Sequence, residues 1–172
     1  MINARSHGND FLDFRPERVA IQSFRSTMAG YEHGDPSSWD DLWNNLVSEC
    51  GIDCACIVSG PLQYFVRCLR SARDGGLQYF PNSCRRICAD ECLVVSLLSA
   101  AQHDDAEALE FCLHHLLKDN YEIFSDDLRS ATLAASQKLR LSDLVLMPVP
   151  VSVLQPIVQR SCGLCRRCAP VS

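Results

Sequence analysis

The chain has 172 residues, 47% apolar and 22% charged, an ordinary composition for one globular domain with extensions. Its net charge of −5 attracts neither nucleic acid nor anionic lipid, and positive charge is local, at Arg85, Arg86, Arg160, Arg166 and Arg167. No apolar run approaches the roughly 18–20 residues that span a bilayer, and the polar opening MINARSHGND lacks a signal-peptide core, so a soluble intracellular protein of cytoplasm or nucleus is expected, with no membrane partner.

Residues 1–38 read as an N-terminal extension, partly disordered. Phe11, Phe14, Val19, Ile21 and Phe24 are too irregularly spaced to define a helix face, and GYEHGDPSS is rich in turn formers. Ser38 is an expected N-cap for WDDLWNNLVSEC, with Asp40 and Asp41 in the first turn, and Gly51 is its stop. Residues 53–59 (DCACIVS) are apolar on both alternating sets and closed by Gly60 and Pro61, the pattern of a buried strand. A helix follows over residues 62–73, stopped by Asp74, Gly75 and Gly76. Residues 81–92 fit no single element; on a helix, Cys84, Cys88 and Cys92 would share one face. Residues 93–98 (LVVSLL) read as a second buried strand.

The next stretch is helical. Asp104 and Glu107 have capping-box spacing ahead of a stripe of Leu109, Cys112, Leu113 and Leu116. Lys118, Asp119 and Asn120 form a turn. Ser125 caps a helix with Leu128, Ala131, Thr132 and Ala135 inward, and Ser142 caps a last short helix cut by Pro148 and Pro150. Residues 39–147 thus form an interaction domain, and 148–172 a proline-punctuated, cysteine-rich tail.

The ordered set over residues 50–147 resembles the BTB/POZ domain. Residues 53–60 look like that family's Asp-led strand and turn. Arg67-Cys68-Leu69 with Ser71-Ala72-Arg73 looks like its first helix, and residues 105–123 and 128–144 like the helices that close it. The resemblance implies an α+β fold, a small sheet flanked by helices with a helical C-terminal half. It further implies homodimers and, in some members, substrate adaptors on a cullin-type ubiquitin-ligase scaffold. An apolar face left over after folding seeks a second copy or a partner. The candidate interface is the helix bearing Trp39, Leu42, Trp43 and Leu46, since tryptophan is enriched at binding hot spots. The expected function is self-association and partner recruitment.

Two alternatives rest on other residues. Cys162, Cys165 and Cys168 form C-x-x-C-x-x-C, a spacing that lets three thiolates reach one zinc ion, with a fourth ligand from Cys84, Cys88, Cys92 or a histidine. That reading is a zinc-binding regulatory protein; without it, no cofactor is expected. The loosely similar LLSAAQHDDAEALEF and ATLAASQKLRLSDLVL give the other, an ankyrin-like helical repeat binder. Eleven cysteines are an odd count, and in a reducing compartment most stay thiols. No catalytic role is expected. His114 and His115 are adjacent and point in different directions. The pairs Asp104–Asp105 and Asp126–Asp127 sit at helix starts, and no Gly-rich phosphate loop or activated nucleophile occurs.

Overall fold

The computed structural model of the protein describes residues 11–34, 36–73 and 76–164. Among them no strand forms. A 3-10 turn at Phe11–Asp13 leads into α1 (Arg15–His33), α2 (Pro36–Cys50), α3 (Ile52–Ser71), α4 (Ala89–Gln102), α5 (Ala106–Leu117), α6 (Tyr121–Leu141) and α7 (Val151–Leu164). The expected α+β architecture is therefore corrected to an all-helical one. The sheet that the BTB/POZ resemblance implies has no counterpart here.

Both expected strands lie inside helices, for two different reasons. Residues 53–59 belong to α3, whose buried positions Ala55, Val58, Leu62, Phe65, Val66 and Leu69 keep helical spacing straight through Gly60 and Pro61. Pro61 lies mid-helix, where its missing N–H removes one backbone bond, yet tertiary packing overrides that local cost. Residues 93–98 belong to α4, in which every residue from Glu91 to Ala100 is buried. A helix clad on all sides loses its amphipathic period, so an apolar run cannot distinguish it from a strand.

Helix α4 is the axis of the fold, packed against α1, α5, α6 and α7. Antiparallel cover comes from the α5–α6 pair, whose stripe of Leu109, Cys112, Leu113, Leu116, Leu128, Ala131, Thr132 and Ala135 is buried as its spacing predicts. The start of α5 moves by one residue: Asp105 is the N-cap, accepting from the Ala108 amide at 3.0 Å, while Asp104 takes a left-handed φ of 54°. Ser125 lies inside α6 instead of capping it, because the 3-10 turn Lys118–Asn120 runs directly into Tyr121. Ser142 ends α6, and the last helix starts at Val151, beyond both prolines.

Helix α1 was hidden by its own polar residues. Its middle is buried nearly all round, with Ser23, Arg25, Ser26 and Thr27 inside beside Ile21, Phe24 and Met28. Gly34, at φ 62°, closes it in the left-handed conformation that glycine adopts without Cβ strain. One core draws on side chains from Leu12 to Leu154, so burial crosses positions 38 and 147 without a break.

Two irregular segments are seated by polar side chains. Residues 76–88 form a strap over the Arg25–Glu91 ion pair, whose side chains are 1% and 0% exposed. The Arg25 guanidinium donates to Glu91 at 2.5 Å and to the carbonyls of Cys84 and Arg86 at 2.8 and 2.6 Å. Glu91 also accepts the amides of Phe80 and Cys88. Residues 143–150 are pinned by Gln102, which donates to Leu144 O at 2.9 Å and accepts from the Leu146 amide at 2.7 Å. Ser99 donates to the Met147 carbonyl, and Glu17 accepts the Met147 amide. Buried backbone groups are thereby paired without a sheet.

Candidate functional site

The expected interface helix separates into parts. Leu42 and Leu46 face inward and are core residues, each 2% exposed. Trp43 is exposed. Trp39 is half-buried and lies against α1, its ring filling the notch at Gly30, where an added Cβ would come within 2.8 Å of it. The four residues therefore form no continuous outer face, since two of them are spent on the core.

Trp39 leads to a surface that its own spacing did not announce. Its ring meets Tyr31 edge-on at 5.3 Å. The Arg70 guanidinium lies over the other ring of that pair, 5.3 Å from the Tyr31 centroid. One turn back along α3, Arg67 stands 5.0 Å over the Tyr64 ring. A hydrogen bond between Tyr64 and the Cys68 thiol holds that phenol above its ordinary pKa and fixes the ring. Between the two Arg–Tyr pairs, Tyr31, Gly60, Gln63, Tyr64 and Arg67 line a shallow depression of about 210 Å³. Gly60 leaves its floor open, with no neighbour inside 4 Å of where a Cβ would stand. Gln63 is held by a 2.9 Å bond to Ser59 Oγ.

The electrostatics single this surface out. Arg67 and Arg70 are exposed, and neither has a carboxylate partner among the described residues, whereas Arg18, Arg25, Arg73, Arg85 and Arg129 are each ion-paired. Ring faces hold a guanidinium by cation–π attraction of about 0.5–1 kcal/mol at exposed sites while leaving its N–H fork free. The larger cleft of about 280 Å³, between α1 and the strap, is different. There Arg18 is committed to Glu49 and to the carbonyls of Leu12 and Asp13, and Arg85 to Asp13. Its cations hold the protein together and offer nothing to a ligand.

Sequence reasoning missed this site because residues 53–59 were assigned to a strand. Once residues 52–71 are one helix, Tyr64-x-x-Arg67-x-x-Arg70 places three side chains along one side of it, and that spacing was available all along.

The metal reading receives no ligand set. Cys165 and Cys168, and the side chain of Cys162, lie outside the described residues. The expected fourth ligands do not converge: Cys88 caps α4 and bonds the Gln78 carbonyl, while Cys92 is buried in the core. Among the described residues no group of three or more His, Cys, Asp or Glu side chains is placed to hold an ion. Burial pushes the Cys92 and Cys112 thiols up to about 11 and 12, which keeps them protonated and unreactive. Cys54 and Cys56 do not share a strand face; on α3 the first is half-buried and the second exposed.

No family model matches the chain, and neither a curated protein nor a solved structure matches it. Among the described residues, no helix is long and apolar enough to cross a membrane. The absence of a sheet removes one obstacle to a helical repeat, yet helices of 19, 15, 20, 14, 12, 21 and 14 residues around one fully clad axis make no repeating unit.

Proposed function

We propose that this chain is an all-helical protein-interaction module that recruits a partner through the outward surface of α3 and the adjoining Tyr31–Trp39 pair. One observation carries the reading. Two exposed arginines lack acidic partners and are held instead over tyrosine rings, around an open glycine floor. Tyrosine, tryptophan and arginine are the residues most enriched at binding hot spots, because they bring large area and directed polar groups at low entropy cost. A surface arranged only for solubility would pair its cations with nearby carboxylates; Asp127 of α6 bears on Tyr64 but makes no ion pair with either arginine.

The cullin-adaptor role does not carry over, because it rested on a fold this chain lacks. Self-association stays separable from recruitment by one measurement. A photoreactive side chain at Gln63 should crosslink a discrete protein, and one at Val153, exposed on α7, should not. A crosslinked species of twice the chain mass would identify the partner as a second copy. Equal labelling from both positions, or none from Gln63, would end the proposal.

A further inference from the structure

Resting on that recruitment surface, we infer that its occupant is an acidic linear segment of a partner protein, with two nearby carboxylates received by Arg67 and Arg70. The two guanidiniums are three residues apart on one helix, so they stand about one turn from each other and on the same side. Each is oriented by a ring beneath it, at 5.0 and 5.3 Å, with its N–H groups uncommitted to any carboxylate among the described residues. A planar fork of donors matches a carboxylate in two parallel bonds, and prior orientation lowers what binding must spend on ordering.

The depression beside them suits a peptide better than a folded surface. At about 210 Å³ it takes one or two side chains, with Gly60 admitting close approach of a backbone and Gln63 offering an amide. The rims are aromatic, so the apolar stems of glutamate side chains lie against Tyr31 and Tyr64 while their carboxylates meet the arginines. A polyphosphate chain or an anionic bilayer is a poorer match. Both need many cations at once, and this surface supplies two on a chain whose net charge is −5. A short acidic segment needs only two.

The test is fluorescence anisotropy of a dye-labelled hexaglutamate peptide against the full chain, at low and at physiological salt. Saturable binding that weakens with salt is expected. The double variant Arg67→Glu/Arg70→Glu should weaken it at least tenfold, and Arg67→Gln/Arg70→Gln by a smaller factor, with helical circular dichroism unchanged in both. Arg85→Glu, which removes an exposed cation elsewhere, should leave it within twofold. Binding that ignores the double variant, or tighter binding of a labelled oligothymidylate or of phosphatidylserine vesicles, would overturn the acidic-peptide inference. Absence of hexaglutamate binding while the Gln63 crosslink persists would overturn it too, leaving the recruitment surface standing with a different occupant.

Discussion

The same guanidinium occurs in two surroundings in this protein and does opposite work. Arg25, 2% exposed, spends its donors on Glu91 and on the strap carbonyls. Arg67 and Arg70 stand in solvent over tyrosine rings with no carboxylate beside them. The first is a structural joint that gathers α1, α4 and residues 76–88. The others are available. An arginine's role here follows from what saturates its fork, and burial decides whether anything from outside can do so.

The largest effect that would break this comparison is at the joint. Arg25→Met strands the Glu91 carboxylate in the core, and losing one partner of a buried pair costs about 3–5 kcal/mol. For a chain of this size each 1 kcal/mol lowers Tm by about 2–4 °C, so calorimetry should show a fall of roughly 6–20 °C. Adding Glu91→Leu should recover part of it, since two apolar groups leave no orphaned charge. A wild-type Tm in Arg25→Met would mean the joint is ornamental.

Next is Gln102→Leu, which leaves the Leu144 carbonyl and the Leu146 amide unpaired. Each costs about 1–3 kcal/mol, and hydrogen exchange should accelerate first at Leu146. Uniform exchange across the chain would instead make that segment part of one cooperative unit.

A smaller effect lies at the exposed pair of Glu110 and Arg129. The Arg129 guanidinium, and then the Tyr121 hydroxyl, hold the Glu110 carboxyl below its ordinary range. A depressed folded pKa stabilises above the unfolded value, and that stabilisation disappears as pH falls through the folded one. Glu110→Gln should therefore lower stability at neutral pH by less than about 1 kcal/mol, the ordinary worth of an exposed pair. Denaturation curves of variant and parent should converge below the carboxylate range; curves still apart at low pH would assign the loss to another cause.

Smallest is the stability change in Arg67→Glu/Arg70→Glu, expected within about 0.5 kcal/mol for surface positions. A larger loss would turn both residues into structural ones and erase the contrast with Arg25.

Legibility in the sequence followed burial. Helices α5 and α6 bury one stripe and face solvent on the other side, so Leu109, Cys112, Leu113, Leu128 and Ala135 announced them. The clad axis α4 and the half-polar interior of α1 defeated the same reasoning from opposite directions. Leu93 to Leu98 show no polar interruption but Ser96, while Ser23, Arg25, Ser26 and Thr27 interrupt a buried face that periodicity expects to be apolar. Trp39 was legible as a binding residue by type and proved to abut the site, whereas Leu42 and Leu46 belong to the core. Tyr64, Arg67 and Arg70 became readable only after Gly60 and Pro61 were known to lie within a helix, because local propensity had ended the segment there.

The bond from the Met147 amide to Glu17 Oε1 joins positions 130 residues apart. During synthesis at about 5–20 residues per second, Glu17 leaves the ribosome on the order of ten seconds before its partner exists. The first helix must wait that long half-dressed, with Phe24 and Met28 open to the cytosol's attention or a chaperone's, until the last third of the chain arrives to close over it.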